Sequence, residues 1–449
     1  MLTGCHVSLR AANGATVQDC SRLFKKRALR NGSEILNPLK PETVDVADTH
    51  QTACCVVGAG PAGMVLALLL ARKGVDVTLL EAHHDFDRDF RGDTIHPSTL
   101  EALDQIGLAD SLLEMPHGRL SAMQFSSNDT ITTIGRFDRL KTRFPYIMIL
   151  PQVKFLEYLA DEARKYPTFR LVLGANVQRI VRDDGTVQGV QYRGPDNDWH
   201  EIRADVTVGA DGRFSKIRSL CGAVPVKATP PMDVLWFRLP RQTTDPHDQI
   251  TFYIGGGLLI ILLDRGDEWQ VGYCLLKGKF SETKTAGMDS LRSKLASLVP
   301  WLADRVTNLQ DWKQVAVLAV ESSRVPTWHQ PGLLLIGDAA HVMSPVGGVG
   351  INYAIQDAIE AANVLAEPLT AGTVTETDLA QVQQRRETAV KLIQRFQGFV
   401  QDRIVKTALD KDRPFRLPLI ARIILSIPGL RNLPIRLIAF GINRAKIQD

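Results

Sequence analysis

Cysteine is scarce in this chain, and its spacing fits no disulfide framework. The 449 residues include six cysteines, and no two of them form a C-x-x-C pair. Cys54 and Cys55 adjoin each other inside an apolar run, where they are expected to act as small buried hydrophobes. The pattern therefore predicts neither disulfides nor a metal site, and it favours a reducing compartment.

Strong charge and long apolar runs are also missing. The formal net charge is +4 at pH 7, which is too weak to indicate nucleic-acid binding, and no zinc-finger or RNA-binding signature occurs. No run of about 18 uncharged apolar residues exists, so no segment is expected to span a membrane. The N-terminus lacks the apolar core of a secretory signal. These absences favour a cytoplasmic protein.

Residues 1–50 show little patterning of any kind. The first 33 residues hold six basic residues and one acid. We interpret 1–50 as an irregular N-terminal extension. A disordered tail, a start codon assigned too early and a targeting peptide are the alternatives.

The chain does have an ordinary globular composition, with 45% hydrophobic and 23% charged residues. Its length is sufficient for two or three domains. Structure is predicted to begin at "ACCVVGAGPAGMVLALLLARKGVDVTLLE", which runs from Ala53 to Glu81. A short apolar run, a turn, an apolar helical stretch that starts at Pro61, and a second apolar run follow each other. This order is typical of a strand–turn–helix–strand unit in a parallel sheet.

The turn of this unit carries G-x-G-x-x-G at Gly58, Gly60 and Gly63. The first glycine permits the tight turn, the second lets the backbone approach a pyrophosphate, and the third lets the helix pack on the strand. The phosphates then meet N–H groups at the helix N-terminus. Glu81 ends the second strand, where a carboxylate accepts hydrogen bonds from ribose hydroxyls and repels a 2′-phosphate. The unit predicts a site for NAD or FAD.

A second glycine-rich stretch, "GDAAHVMSPVGGVGINYAIQDA", runs from Gly337 to Ala358 after the apolar run "GLLLI". A third motif, "GADGRFSKIR", lies between the other two. With these motifs in this order, the chain resembles the flavin-dependent monooxygenases of the aromatic-hydroxylase family, the p-hydroxybenzoate hydroxylase-like group A flavoproteins. The resemblance covers roughly residues 53–400. It implies FAD as the cofactor and NADPH or NADH as the reductant.

The resemblance also implies nineteen cofactor-binding residues. All of them belong to the three motifs or to short segments between them: Gly58, Ala59, Gly60, Pro61, Ala62, Gly63, Glu81, Ala82, Arg91, Gln152, Val177, Asp211, Asp338, Pro345, Gly347, Gly348, Gly350, Ile351 and Asn352. Arg91 is implied to approach the FAD phosphates, a task that suits a guanidinium fork. Gln152 and Val177 are implied to contact the adenosine half.

The remaining implied contacts lie nearer the flavin ring. Asp211 closes on the pyrophosphate, Asp338 bonds the ribityl chain, and Pro345 lies beside the ring. The glycines after Pro345, with Asn352, present donors to the N1–C2 edge of the flavin, where a helix N-terminus stabilises negative charge. Three cations near the middle motif either hold a 2′-phosphate of NADPH or face solvent: Arg213, Lys216 and Arg218.

The implied fold is α/β: a Rossmann-like FAD-binding domain with an inserted, mostly antiparallel substrate sheet and a helical C-terminus. The inserted part is rich in β-branched and aromatic residues. The predicted divisions are an extension at 1–50, the first part of the FAD-binding domain at 51–223, the substrate domain at 224–320, the second part of the FAD-binding domain at 321–372, and a basic helical region at 373–449.

The implied activity is an FAD-dependent monooxygenase that uses NAD(P)H and O2 to hydroxylate an aromatic or lipophilic small molecule through a flavin C4a-hydroperoxide. A reductase or dehydrogenase of the prenyl-chain reductase type on the same fold is one alternative, and a flavin-loaded binding protein without turnover is another. A flavin-dependent halogenase is disfavoured because W-x-W-x-I-P is missing. His341 and His96 lie near the flavin motifs. Their role there is either proton transfer or packing. No catalytic residue is assigned.

The inserted sheet is expected to form the floor of the substrate pocket. Strand alternation predicts that its aromatic residues divide between the two faces, with more of them in the core than at the ligand. The residues concerned are Trp236, Phe237, Phe252, Tyr253, Trp269 and Tyr273. An apolar pocket favours an aromatic or lipophilic substrate.

Residues 411–449 combine apolar residues with eight basic residues and two acids, a net charge of +6 (8 − 2). Four prolines keep any helix in this segment short, which favours packing against the FAD-binding domain. Basic and apolar residues together also suit an anionic membrane surface. Peripheral membrane contact through 411–449 is therefore a second hypothesis for this segment.

Overall fold

The structure, a computed structural model, describes residues 45–87, 92–127, 130–412, 415–427, 430 and 432–448. Its strands are β1 (Asp48–Val57), β2 (Val77–Glu81), β3 (Thr94–Ile95), β4 (Gly118–Leu120), β5 (Ala122–Ser127), β6 (Thr130–Arg136), β7 (Ile147–Ile149), β8 (Phe169–Leu173), β9 (Asn176–Asp183), β10 (Thr186–Arg193), β11 (Trp199–Gly209), β12 (Val226–Ala228), β13 (Met232–Pro240), β14 (Gln249–Gly255), β15 (Leu258–Asp264), β16 (Glu268–Leu276), β17 (Ala316–Leu318), β18 (Ser322–Arg324), β19 (His329–Gln330), β20 (Leu333–Leu335) and β21 (His341–Val342).

The helices alternate with these strands and then dominate the C-terminal part of the chain. They are α1 (Pro61–Arg72), α2 (Pro97–Gln105), α3 (Ala109–Leu113), α4 (Gln152–Ala163), α5 (Lys216–Leu220), α6 (Phe280–Thr285), α7 (Met288–Leu298), α8 (Gly350–Ala371), α9 (Glu376–Val400), α10 (Lys406–Ala408), α11 (Leu419–Ser426) and α12 (Leu433–Phe440). A short π-helical segment, Gln401–Val405, joins α9 to α10.

Strands β1 and β11 form the centre of an eight-stranded sheet with the order β19-β20-β11-β1-β2-β8, and β10 and β9 extend it as a hairpin beside β11. The core strands β20, β11, β1, β2 and β8 run parallel. The end of β1 is buried on both faces, as parallel strands under helices require. The strand begins at Asp48, so residues 48–50 are strand rather than irregular extension. Residues 1–44 lie outside the described residues.

Helix α1 covers this sheet. Proline is at its first position, where the missing N–H costs nothing, and the helix is buried from Ala62 to Ala71. The chain leaves the helix through Gly74, which has a positive φ of 81°. The predicted strand–turn–helix–strand unit is therefore present, and α8 and α4 pack against the same helix.

A second sheet has seven strands in the order β17-β13-β16-β15-β14-β5-β6. Its pairs are antiparallel except for β14 with β5. Strands β5 and β6 precede residue 224, so this sheet draws two strands from the segment assigned to the first domain. The predicted boundaries stay predictions.

The two faces of the seven-stranded sheet are packed differently. The outer face packs on α7 and the turns after it, and it includes most of the aromatic residues of the sheet: Phe237, Tyr253, Trp269 and Tyr273. Trp236 and Phe252 belong to the inner face, in a cluster that also contains Val346, Phe415 and Leu417. The indole of Trp236 lies over Gly272, 2.8 Å from where a Cβ would be.

The C-terminal helices differ in how they pack. Helix α9 lies against α8, and α12 buries Ile435, Ile438 and Ala439. Helix α11 instead exposes Leu419 and Ile423. Within the described ranges, no helix is long and apolar enough to cross a membrane.

Candidate active site

The three sequence motifs meet at one edge of the parallel sheet. Val57 pairs with Leu80 on one side and with Gly209 on the other, and Gly209 pairs with Leu335. The turns that follow β1, β2, β11 and β20 therefore leave the sheet side by side. Ligands of open α/β sheets bind at this carboxyl edge.

The glycines of the first motif have different surroundings. A Cβ on Gly63 would lie 1.9 Å from the carbonyl oxygen of Gly58, and one on Gly58 would lie 2.6 Å from Cα of Asp211. No described atom lies within 4 Å of the corresponding position on Gly60. Backbone packing therefore requires glycine at Gly58 and Gly63. Gly60 instead leaves open space at the N-terminus of α1, and this is the space that a pyrophosphate needs.

Glu81 holds the first turn in place. Its Oε2 accepts a hydrogen bond from the Ala59 N–H at 2.9 Å, and its Oε1 accepts one from the His83 N–H at 3.0 Å. Ala82, the next residue, is exposed. The carboxylate sits at the end of β2 as the sequence predicts, and its contact with a ribose stays a prediction.

The middle motif caps the short helix α5. Asp211 accepts hydrogen bonds from Ser215 Oγ at 2.5 Å and from the Ile217 N–H at 3.0 Å. Burial raises the pKa of Asp211 above its ordinary value, and these two donors oppose that shift. Asp211 therefore fixes the turn beside Gly58, and its contact with the pyrophosphate stays a prediction.

Arg218 ties the middle motif to the third one. Its guanidinium donates to the carbonyl oxygens of Asp338 at 3.1 Å, Ala339 at 3.0 Å and Arg213 at 2.6 Å. Because these carbonyls occupy it, Arg218 is better explained as a structural link than as a ligand for a 2′-phosphate. Lys216 is the exposed cation of the three candidates.

The third motif packs against the first through Gly337. This residue has a φ of +58°, and a Cβ there would lie 3.1 Å from Ala354 Cβ and 3.3 Å from Ala62 Cβ. The turn is thus wedged between α1 and α8. Asp338 follows it in a half-buried position.

A buried ionic cluster lies behind this turn. Asp357 of α8 accepts hydrogen bonds from the Gly337 N–H at 3.1 Å, His341 Nε2 at 2.5 Å and Arg386 Nε at 2.9 Å. All three side chains are at most 1% exposed. Burial alone would raise the pKa of Asp357, but the charges and donors of His341 and Arg386 hold it below its ordinary value. A buried carboxylate needs such compensation.

The glycine loop, Pro345–Gly350, runs from the third motif into α8. Gly347 and Gly348 have φ values of +81° and +63°, which side chains with a Cβ rarely adopt. Gln397 of α9 supports the loop by donating to the carbonyl oxygens of Ser344 at 2.8 Å and Val346 at 2.9 Å. The loop is half-exposed on its other side.

Buried polar atoms without partners occur at the start of α8, beside the loop, and at the start of α4. Thr99 Oγ1 donates to Asn352 Oδ1 at 2.7 Å, while Asn352 Nδ2 is buried and has no partner among the described residues. Gln152 Oε1 is also buried and has no partner among the described residues. Buried polar groups are normally paired, so these atoms fit a site whose ligand supplies the missing acceptors and donors. The residues present therefore fit FAD.

The other predicted residues are distributed around this centre. Val177 is buried in β9, and Ala175 two residues earlier donates its N–H to the carbonyl oxygen of Glu81 at 2.8 Å. Ile351 Cδ1 lies 3.1 Å from the position of a Cβ on Gly92. Arg91 lies outside the described residues, so its contact stays a prediction.

Several residues that build the site were not selected from the sequence. Asp357 lies inside the quoted third motif, yet its partner Arg386 is 29 residues away, and nothing local indicates the pairing. Gln397 and Gln401 are four residues apart on one helix face, and Gln401 Nε2 donates to Ser344 Oγ at 2.6 Å. Paired amides on an otherwise apolar face are the signal that points to such a role.

Comparisons with known proteins show the family to which the chain belongs. Residues 51–397 match the FAD binding domain family. The chain is 32% identical over 406 residues to a 6-methylpretetramide 4-monooxygenase of Streptomyces rimosus, covering 90% of this chain and 96% of that protein.

Solved structures share the fold. PqsL of Pseudomonas aeruginosa, solved with 2-aminobenzoylacetate, superposes with a TM-score of 0.70 at 18% identity, over 81% of this chain and 98% of that one. The anhydrotetracycline hydroxylase OxyS of Streptomyces rimosus gives a TM-score of 0.68 at 22% identity, over 87% and 76% of the two chains.

Fold and site together define a flavoprotein oxidoreductase. The chain belongs to the FAD binding domain family, among the aromatic-hydroxylase flavoproteins that its three motifs resemble. It is an FAD-dependent monooxygenase, and the family takes its reducing equivalents from NAD(P)H. In such enzymes bound FAD supplies the chemistry with oxygen, while the protein binds and orients the reactants and stabilises charge. Within the described ranges, no cluster of three or more metal-ligating side chains occurs.

Proposed function

We propose that this monooxygenase hydroxylates a phenolic aromatic compound held between the glycine loop and the inner face of the seven-stranded sheet. The observation that carries the proposal is the inner-face cluster, in which Trp236 and Phe252 pack together with Val346 of the loop. An apolar wall with few polar groups favours an aromatic ring. The name of the Streptomyces rimosus relative, a monooxygenase of 6-methylpretetramide, supports hydroxylation as the reaction.

FAD in this proposal follows the edge where the three motifs meet. The pyrophosphate lies over Gly60 at the N-terminus of α1, the ribose faces Glu81, and the ribityl chain passes Asp338. The ring lies along the glycine loop, with the N-terminus of α8 and Asn352 Nδ2 directed to its N1–C2 edge. The first N–H groups of a helix have no partner inside the helix, so they are available to a ligand there.

The surrounding residues have positioning roles in this arrangement. Phe415 and Leu417 pack on the inner face together with Phe125, and the rings of Phe125 and Phe415 meet edge to face at 6.0 Å. This apolar cover keeps water from the space beside the loop. Exclusion of water strengthens every electrostatic interaction inside a site.

The substrate side of the proposal is tested with one substitution made on both faces of the sheet. Trp236→Leu should raise KM for a phenolic substrate about tenfold or more with little change in thermal stability, because the indole lies on the inner face. Trp269→Leu should lower stability and leave KM unchanged, since Trp269 lies in the outer core and donates to Asp245 Oδ2 at 2.8 Å. Equal KM values for the two variants would contradict the proposed substrate wall.

We further propose that residues 411–449 contact an anionic membrane surface. Five large apolar side chains are exposed within fifteen residues, namely Leu419 (69% exposed), Ile423, Ile427, Leu430 and Leu433 (56%). Arg416, Arg422 and Arg436 are exposed among them. An apolar strip between cations complements the headgroups and acyl chains of an anionic bilayer.

Vesicle flotation tests this contact. Leu419→Ser/Ile423→Ser should abolish flotation with phosphatidylserine vesicles, and the wild type should not float with purely phosphatidylcholine vesicles. Leu392→Ser is the matched control, because Leu392 is 40% exposed on α9, and it should float as the wild type does. Flotation of the double variant at the wild-type level would contradict the membrane contact.

A further inference from the structure

The two histidines near the flavin motifs have different hydrogen-bond partners. His341 Nε2 is bonded to the buried carboxylate of Asp357 at 2.5 Å, so it belongs to an ionic cluster. His96 directly precedes α2 and its side chain is fully buried. The only hydrogen bond of this side chain among the described residues joins Nδ1 to the carbonyl oxygen of Ile438 in α12, at 2.8 Å.

The bond to Ile438 fixes the tautomer of His96. A carbonyl oxygen only accepts hydrogen bonds, so Nδ1 must carry the proton. Burial lowers the pKa of His96 to about 4, and the imidazole is therefore neutral near pH 7. The other ring nitrogen, Nε2, is then an acceptor with a free lone pair.

This acceptor faces the glycine loop. His96 Nε2 lies 3.6 Å from the position of a Cβ on Gly348, and Thr94 Oγ1 lies 3.4 Å from the same point. Nε2 is buried without a partner in the part of the chain that the structure describes. An unpartnered buried acceptor is destabilising, so a ligand donor at this place would restore a missing hydrogen bond.

We propose that His96 Nε2 accepts a hydrogen bond from a donor of the bound FAD, either a ribityl hydroxyl or the ring N–H. The C-terminal helix α12 determines that Nε2 is the acceptor, because the carbonyl oxygen of Ile438 holds the proton on Nδ1. The side chain of Ile438 also packs toward Gly347, 3.5 Å from its Cβ position. Helix α12 therefore contacts the cofactor site through both His96 and the glycine loop. This inference rests on the proposed placement of FAD along the glycine loop.

Two isosteric variants separate the two ring nitrogens. His96→Asn keeps a donor at the position of Nδ1 and removes the acceptor, whereas His96→Gln keeps an acceptor near the position of Nε2 and removes the donor. We expect His96→Asn to weaken FAD binding to the apoprotein about tenfold, the value of one good hydrogen bond, with thermal stability retained. His96→Gln should lower apoprotein stability while the dissociation constant for FAD stays within about threefold of wild type.

The dissociation constants are measured by quenching of flavin fluorescence. Wild-type affinity in His96→Asn, or equal weakening in both variants, would overturn the proposal. A measurement on the wild type removes any dependence on how the variants fold: with 15N-labelled histidine, the Nε2 resonance of His96 should move upfield when FAD binds, and an unchanged resonance would overturn the proposal. If the wild type binds no FAD at all, the proposed function fails, and this outcome is distinct from the others.

Discussion

The back and the front of the glycine loop are built in opposite ways. Behind the loop, Asp357 is surrounded by three donors. In front of it, buried atoms of His96 and Asn352 lack partners among the described residues. Two glycines of the first motif show a similar contrast, since a Cβ on Gly63 would overlap backbone whereas the space over Gly60 is open.

This difference indicates where the ligand belongs. A protein compensates the charges that it buries permanently, as it does around Asp357. Unpaired buried atoms also occur behind the loop, at His341 Nδ1, Arg386 Nη2 and Gln397 Oε1 among the described residues, so the open space over Gly60 is the feature that marks the ligand side. The back should therefore control stability, and the front should control affinity for FAD.

The largest effect is expected from Asp357→Asn. The substitution leaves the charge of Arg386 buried without its carboxylate, which should cost about 3–5 kcal/mol of unfolding free energy. Glu360→Gln on the same helix is the control, because Glu360 is partly exposed and pairs with Arg385 at 3.2 Å, a geometry worth about 1 kcal/mol at most. Chemical denaturation measures the unfolding free energy of both variants. Similar losses in the two would contradict the distinction between a compensated buried charge and an exposed one.

The same carboxylate predicts the acid limit of stability. The pKa of Asp357 is depressed in the folded protein, so its stabilising contribution is complete above its ordinary pKa of about 4 and is lost as pH falls further. Asp357→Asn should therefore be closest to wild type in stability at the lowest pH at which both fold. A constant difference in stability between wild type and Asp357→Asn across pH 3–7 would contradict the depressed pKa of Asp357.

The next largest effect separates two glycines of one motif. Gly63→Ala should destabilise the protein by about 3 kcal/mol, because the new Cβ meets the carbonyl of Gly58. Gly60→Ala should change stability by about 1 kcal/mol at most, yet it should weaken FAD binding by placing a methyl group in the pyrophosphate space. Thermal melts of the apoproteins and FAD titrations distinguish the two, and unchanged FAD affinity in Gly60→Ala would place the phosphates elsewhere.

A further effect, of a size similar to that of Gly63→Ala, is expected from pH at His96. Its folded pKa of about 4 lies below its ordinary value of 6.5, so the unfolded chain takes up a proton between these values and the folded chain does not. Stability present above pH 6.5 is thus lost toward pH 4, by up to about 1.4 kcal/mol per pH unit. His96→Asn should reduce this loss of stability per pH unit.

His200 provides a control of opposite sign for this slope. Hydrogen bonds that His200 donates to Asp196 and Asp48 raise the pKa of His200, so its stabilising contribution is present at low pH and is lost as pH rises through the folded pKa. His200→Asn should therefore steepen the loss of stability on acidification. The same slope in wild type and His96→Asn would contradict the neutral buried state of His96.

The smallest effect concerns Asn352. Asn352→Ala removes the unpartnered Nδ2 together with the acceptor of Thr99, so we expect about 1 kcal/mol of destabilisation and about tenfold weaker FAD binding. Thr99→Val removes the Thr99 bond alone and should share the destabilisation but retain most of the affinity. Flavin fluorescence titration measures the difference, and equal affinities would assign Asn352 a purely structural role.

Local patterns in the sequence predicted the parts of the site that consecutive residues build. The glycine spacing from Gly58 to Gly63, the acid at Glu81 and the turn at Gly337 lie where the structure has them, because each depends on backbone geometry within a few residues. The division of the aromatic side chains between two faces followed from alternation along single strands, although which of them face the loop required the sheet itself.

The remaining features depend on long-range packing that no local pattern encodes. Strand β5 joins β14 across more than a hundred residues, and Arg386 reaches Asp357 from a different helix. His96 Nδ1 donates the only side-chain hydrogen bond of His96 among the described residues to the carbonyl oxygen of Ile438, which is 342 residues away in sequence. Such pairings follow from how whole elements pack, so the sequence supplies the participating residue types without their partners.

The central claim is tested most directly by following labelled oxygen. The wild-type protein, reconstituted with FAD, would be supplied with NADPH or NADH, 18O2 and a panel of phenols, and products would be analysed by mass spectrometry alongside oxygen uptake. We predict that at least one phenol gains a single labelled oxygen atom, with NAD(P)H oxidation stimulated by that phenol. Flavin binding with reductant oxidation but no labelled product from any phenol, and no stimulation by any of them, would contradict hydroxylation of a phenolic substrate.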